Sequence, residues 1–276
     1  MIPRLEIVRR LANQISLGRP IVGCGAGTGI TAKLAESGGA DLIVIYNSGR
    51  YRMAGRGSLA GLMPYGDANA IVVEMASEVL PIVRDTPILA GVCGTDPFRS
   101  MPTFLRQLRE LGFSGIQNFP TVGLIDGVFR ENLEATGMSF EREVELIRLA
   151  HEMDLFTSPY VFDAVQARAM VAAGADQIVA HVGLTISGSI GATAALTLDE
   201  AIERVLAIAS AARQERDDVF VICHGGPFDE PEVVGAALRR MPGVQGFFGA
   251  SSIERLPVER AVTRQTQMFK ELRLAD

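Results

Sequence analysis

The stretch from Val219 to Glu254, VFVICHGGPFDEPEVVGAALRRMPGVQGFFGASSIE, constrains the fold more than any other. Two short apolar runs, Val219–Cys223 and Val244–Phe248, have the length and residue types of strands buried on both faces. Each stops at small, permissive residues: His224-Gly225-Gly226-Pro227 after the first, Gly249-Ala250-Ser251-Ser252 after the second. Between them Glu230–Arg240 reads as a helix, so the unit is strand, loop, helix, strand, with its polar residues at the C-terminal strand ends. In a parallel βα barrel those ends carry the active site, and the last two loops commonly hold a phosphate. Glycine there lets backbone N–H groups approach an anion without an intervening Cβ.

The rest of the chain keeps the same rhythm. Arg4–Gln14 has helical spacing and precedes the first strand, Ile21–Cys24. Further strands are expected at Asp41–Tyr46, Pro87–Val92, Gly115–Phe119, Leu155–Pro159 and Asp176–His181. Helices are expected through Ser37 and over Ala68–Leu80, Thr103–Leu111, Phe140–Met153, Phe162–Ala173, Leu198–Arg213 and Val258–Leu272. Asn47–Asp67 reads as a long polar loop, Pro120–Glu134 as an extended connection, and Val182–Thr197 as a glycine- and serine-rich loop. Glycines at 38–39, 112, 174 and 243 fall just past helix ends, where a left-handed cap belongs. Uninterrupted strand–helix alternation favours a (β/α)8 TIM barrel with an extra N-terminal helix, formed as a single domain over residues 1–276.

Composition removes several function classes. A net charge of −6 argues against general nucleic-acid affinity. No apolar run reaches the roughly 18–20 residues of a membrane span, and the N-terminus lacks the apolar block of a secretory signal. Cys24, Cys93 and Cys223 sit in apolar runs, as expected of reduced cysteines in a cytoplasmic protein. Gly23–Gly29 (GCGAGTG) follows a strand and opens a helix, but Tyr46 and Asn47 stand where a dinucleotide site needs an acid. No nucleotide cofactor is expected; a tight βα turn or an anion site at the helix start explains the glycines.

Candidate chemistry lies at the strand ends. His181 and His224 each come five residues into their segments, counting from Asp176 and Val219, and so at similar height on adjacent strands. Histidine there suits proton transfer near neutrality, metal ligation as neutral imidazole, or a plain hydrogen bond to a loop carbonyl. His151, near a helix C-terminus, reads as a dipole-complementing residue. Gly25, Asn47, Ser48, Arg50, Gly225, Gly226, Gly249, Ala250, Ser251 and Ser252 form the expected binding surface for a small anionic substrate. Arg50, Arg52 and Arg56 share the second loop, where a guanidinium fork suits carboxylate or phosphate. Asp96 follows the third strand and is open as a metal ligand, a base or an Asp-Pro turn residue. Lys33 and Lys270 are the only lysines and neither ends a strand, so Schiff-base chemistry has no nucleophile.

These segments also resemble a known family. GCGAGTG (23–29), LIVIYNSGRYR (42–52), GVCGTDP (91–97), QNFPTVG (117–123), HVGLT (181–185), HGGP (224–227) and GASS (249–252) are similar to the phosphoenolpyruvate hydrolase-like family. The resemblance covers nearly the whole chain. It implies a TIM barrel related to phosphoenolpyruvate mutase and phosphonopyruvate hydrolase, similar to the C-terminal barrel of plant virus-resistance proteins. It also implies a homo-oligomer and Mg2+ held by an Asp-x-Asp pair at a mid-barrel strand end; Asp96 matches at best one such ligand, and Asn118 replaces an acid on the fourth strand. The expectation is a hydrolase of a phosphorylated or phosphono 2-oxo acid, with His181, His224 and Asp96 catalytic. A carbon–carbon lyase on a 2-oxo acid and a non-catalytic metabolite- or protein-binding barrel are the alternatives.

Overall fold

The computed structural model describes residues 1–274. In chain order its elements are α1 (Arg4–Ser16), β1 (Ile21–Ala26), α2 (Gly29–Ser37), β2 (Leu42–Ile45), α3 (Asn47–Met53), α4 (Ala68–Val79), β3 (Ile88–Gly91), α5 (Met101–Leu111), β4 (Gly115–Gln117), α6 (Gly127–Ala135) and α7 (Phe140–Glu152). There follow β5 (Phe156–Thr157), β6 (Tyr160–Val161), α8 (Ala164–Ala172), β7 (Gln177–His181), α9 (Leu198–Glu215), β8 (Phe220–His224), α10 (Pro231–Arg240), β9 (Gly246–Gly249) and α11 (Arg255–Lys270).

All strand pairs are parallel, in the order β5-β4-β3-β2-β1-β9-β8-β7-β6. β5 and β6 are two halves of one strand: β5 pairs with β4 and β6 with β7, so the ring closes through an interrupted fifth strand. The interruption falls on Ser158-Pro159, where proline supplies no N–H to the ladder. The N–H of Tyr160 is taken instead by Asn118 Oδ1 at 2.7 Å. The strand interiors are buried on both faces, as in β2, β7 and β8, which is what helices on the outside and packed side chains on the inside require. The extra helix α1 packs Ile7 and Leu11 into the core.

The expected glycine caps hold: Gly39, Gly112, Gly174 and Gly243 all have positive φ. Two expectations fail. The polar stretch after β2 is not a loop throughout, because Asn47–Met53 forms α3 and Ser58–Leu62 a 3-10 turn. α3 backs onto β1, where a Cβ on Gly27 would lie 2.0 Å from the carbonyl oxygen of Gly49. The stretch 120–134 is not extended either: Asp126 precedes helix α6, whose VFRENLEA sequence outlasts the loop signals of Pro120, Gly123 and Gly127. No helix among the described residues is long and apolar enough to cross a membrane.

Candidate functional site

β7 and β8 pair in a register that sets His181 opposite His224 at their C-terminal ends. The imidazole centroids are 4.7 Å apart with the planes at 78°. Both rings are buried. His224 Nδ1 lies 2.7 Å from the carbonyl oxygen of Phe248. A carbonyl only accepts, so Nδ1 carries the proton and Nε2 keeps its lone pair. His181 is the reverse: its Nδ1 accepts from the N–H of Gly183 at 3.1 Å, which leaves the proton on Nε2.

Burial favours the neutral form of both rings. It lowers His224 to about 4, against the opposing pull of the Phe248 carbonyl and with help from the Arg52 charge. It holds His181 well below the usual histidine value, with His224 adding to the effect. The pair is therefore two neutral imidazoles of opposite tautomer. One presents an N–H and the other a lone pair.

Aromatic rings fix this arrangement. Tyr160 packs 5.1 Å from His181 and 5.2 Å from His224, centroid to centroid; Phe162 braces His181 at 4.9 Å and Phe248 braces His224 at 5.3 Å. Burial and the neighbouring Tyr46 phenol push the Tyr160 hydroxyl well above its ordinary value, so it stays protonated. Tyr160 is itself positioned from behind. Asn118 holds its N–H and donates Nδ2 to Glu143 at 2.6 Å, and Glu143 also accepts from Thr121 Oγ1 and Val122 N. Burial drives the Glu143 carboxyl up to about 7 in spite of those three donors.

Over the histidines lies a cavity of about 230 Å³. Loop residues Gly183–Thr185 and Ile190–Ala192 line one part of it, and Tyr46, Phe119, Leu124 and Tyr160 form an aromatic and aliphatic part. Its cationic groups are Arg52 and Arg255. The guanidinium of Arg52 is committed to Glu254, with Nη2 3.0 Å and Nε 3.2 Å from Oε2, and to Ser48 Oγ at 3.1 Å. Glu254 Oε1 accepts from Gly27 N and Thr31 Oγ1, so this buried pair ties β1, α2, α3 and the start of α11 together. Arg255 is less committed: Nη1 contacts Glu259 at 3.0 Å and Nη2 the carbonyl of Ser187 at 2.8 Å.

Of the residues expected to bind an anion, Ser48, Ala250 and Ser251 line the cavity. Gly25 lies behind it, where a Cβ would meet the Tyr46 hydroxyl at 2.6 Å and Arg52 at 3.3 Å. Gly225 has φ +81°, and a Cβ there would sit 2.0 Å from the Gly183 carbonyl; the N–H of Gly226 already donates to that carbonyl at 3.0 Å. These two glycines seat the roof loop on β8. A Cβ on Gly249 would collide with Ile253, and Ser252 does not line the cavity. Asn47 is turned away, donating to the Gly61 carbonyl at 2.9 Å.

Two expected residues stand elsewhere. Arg50 points to Glu74 and Glu78 on α4, because on α3 it is Ser48 and Arg52, four apart, that share the inward face. Asp96 faces a separate depression beside α5 and α7. Its carboxylate is bound by Arg99 at 2.5 Å, Asn69 at 2.9 Å and the N–H of Phe98 at 2.9 Å; these donors hold it below the usual carboxylate range although burial opposes them. These contacts are those of an Asp-Pro turn residue. The expectation did not reach Arg255, Glu254 or Glu143; an arginine in the first turn after the Gly-Ala-Ser-Ser loop was the one available signal.

Residues 6–272 match the family described as phosphoenolpyruvate hydrolase-like. The chain belongs to the phosphoenolpyruvate hydrolase-like family. It is 60% identical over 269 residues to the ToMV susceptible protein tm-1(GCR26) and to the ToMV resistance protein Tm-1(GCR237), both of Solanum lycopersicum. Each match covers 98% of this chain but 36% of the tomato protein, so the chain spans about a third of those relatives. Among solved structures, phosphonopyruvate hydrolase in complex with oxalate and Mg2+ superposes with a TM-score of 0.61 at 15% identity, over 98% of this chain and 88% of that one. A 2,3-dimethylmalate lyase gives 0.59 at 15% identity, over 96% and 87%. At such identities the likeness is one of fold.

The Mg2+ in that neighbour raises the question whether the residues of this phosphoenolpyruvate hydrolase-like chain fit a divalent cation. They do not. Mg2+ takes oxygen ligands in an octahedron, anchored by one or two carboxylates. Among the described residues no group of three or more His, Cys, Asp or Glu side chains could hold a metal ion. Asp96 faces away, and Glu254 beside the cavity is bound by Arg52, Gly27 and Thr31.

Proposed function

We propose that this member of the family is an enzyme acting on a small phosphorylated or phosphono 2-oxo acid, of the phosphoenolpyruvate or phosphonopyruvate kind, at the cavity over His181 and His224. The observation that carries the reading is the pair of neutral imidazoles at the C-terminal strand ends. They supply a proton acceptor and a donor within one small cavity. Arg255 and Ser251 are the groups for the substrate anion: Arg255 keeps guanidinium N–H groups beyond its contacts to Glu259 and Ser187, whereas the Ser48 hydroxyl is spent on the Ser58 carbonyl. In hydrolysis of the phosphono substrate, water attacks phosphorus and gives its proton to His224 Nε2. The electrons of the P–C bond pass to the enolate of pyruvate. The proton then returns to C3, leaving pyruvate and phosphate.

One observation favours a second reading, cleavage of a carbon–carbon bond beside a 2-oxo acid. The cavity wall of Leu59, Phe119, Leu124 and Ile190 has no side-chain donor, so it suits an uncharged leaving fragment better than a phosphoryl group. There His224 takes the C4 hydroxyl proton of a 4-hydroxy-2-oxo acid, the C3–C4 electrons form the same enolate, and an aldehyde departs.

Assay of pyruvate and phosphate release from phosphoenolpyruvate, phosphonopyruvate and 4-hydroxy-2-oxo acids decides between them. Pyruvate with phosphate supports the hydrolase. Pyruvate with an aldehyde moves the protein to the lyases, and absence of pyruvate from every substrate ends the pyruvate-centred reading.

A further inference from the structure

We infer that the site handles its oxo acid without a divalent cation, and that His181 Nε2–H does what a metal would do at the substrate's oxo oxygen. The inference rests on the oxo-acid reading of the cavity and deepens it. Its first support is the direction of the two imidazoles. His181 uses its lone pair, at Nδ1, on the N–H of Gly183, so its cavity-side nitrogen is protonated and cannot ligate a metal. His224 contributes one lone pair, at Nε2. A single nitrogen is a poor site for Mg2+, which prefers oxygen.

The second support is the fate of the carboxylates Glu254, Glu143 and Glu259. Glu254 has Arg52 on Oε2 and the Gly27 N–H and Thr31 hydroxyl on Oε1. Glu143 is enclosed by Asn118, Thr121 and Val122. Glu259 accepts from Arg255 and Ser189. None lines the cavity, whereas Arg52 and Arg255 do. Each of those arginines is paired on another side with a carboxylate, Arg52 with Glu254 and Arg255 with Glu259, so the lining offers N–H donors to an anion and no carboxylate oxygen to a divalent ion.

With no metal to draw electrons from the 2-oxo group, the developing enolate needs a fixed donor. A neutral imidazole N–H serves as such an electrophile when its pKa is held low, since it donates without giving up its proton. His181 meets that condition: it is neutral, locked in one tautomer by Gly183, and packed between Tyr160 and Phe162. The ligand class that fits is a planar 2-oxo carboxylate or its dianionic mimic, oxalate. Its carboxylate would lie toward Arg255 and its oxo oxygen on His181.

The test is calorimetric titration of oxalate into the full chain, once in EDTA and once with excess MgCl2, together with His181→Phe and His181→Gln. The expected result is the same oxalate affinity in both buffers, within about twofold. His181→Phe, which keeps a ring but no donor, should weaken binding about tenfold or more, and His181→Gln, which restores an N–H near Nε2, should recover part of the loss. Circular dichroism establishes that each variant is folded; if His181→Phe is not, the wild-type comparison decides alone. Oxalate binding that tightens tenfold or more with MgCl2 overturns the inference and leaves the oxo-acid reading standing. Absence of oxalate binding in both buffers overturns both.

Discussion

His181 and His224 stand at the same height on adjacent strands, 4.7 Å apart, and use their Nδ1 atoms in opposite senses. One accepts from a loop N–H and the other donates to a strand carbonyl. The result is a donor and an acceptor side by side in a buried place, with neither ring charged. The backbone fixes this asymmetry: Gly183 begins the roof loop over β7, and Phe248 lies in β9 beside His224.

The pH profile should carry the mark of His224. Burial lowers its folded value to about 4 from an ordinary 6.5. Protonation removes the Nε2 lone pair, so kcat/KM should be flat through pH 6 to 7 and fall only as pH drops toward about 4. An acid limb centred near the ordinary histidine value contradicts this assignment.

Stability should respond to Glu143 in the opposite direction from an ordinary ion-paired acid. Its folded pKa is raised from 4.5 to about 7, so the folded state binds more protons across that interval than the unfolded state. The contribution is complete below 4.5 and is lost as pH rises through about 7. Its ceiling is about 3 kcal/mol, from roughly 1.4 kcal/mol per pKa unit. Urea unfolding at several pH values should show stability falling across this window in the wild type, and E143Q should flatten that slope. An unchanged slope in E143Q removes Glu143 as its source.

The Arg52–Glu254 pair is buried on both sides, with each side chain 1% exposed. Losing one partner strands the other's charge. R52M or E254Q alone should therefore cost about 3–5 kcal/mol, and the double variant less than the sum of the singles. Chemical denaturation of the four proteins in a double-mutant cycle measures the coupling. Additive losses would contradict a direct interaction.

Much of this was legible in the sequence where burial and chain count decide. Runs such as Phe220–His224 are apolar on both faces because helices cover one side and the barrel interior the other. Counting along two such runs sufficed to set His181 level with His224. The illegible parts depend on which way a side chain leaves an element. Read as a loop, residues 47–67 cannot show whether Arg50 or Arg52 faces inward. Once α3 exists, the spacing of Ser48 and Arg52 settles it. Asp96 looked like a strand-end acid, but the turn through Pro97 carries it to Arg99 and Asn69. The Glu254 and Glu143 networks join segments far apart in the chain, |i−j| of 202 for Arg52 and 25 for Asn118, so no local pattern announces them.

The most direct test of the account is the tautomer of each histidine, read from two-bond 1H–15N correlation spectra of the labelled protein at neutral pH. His181 and His224 are assigned through His181→Gln and His224→Gln. The account predicts two neutral rings, with the proton on Nε2 in His181 and on Nδ1 in His224. Identical tautomers, or an imidazolium pattern for either ring, would contradict it.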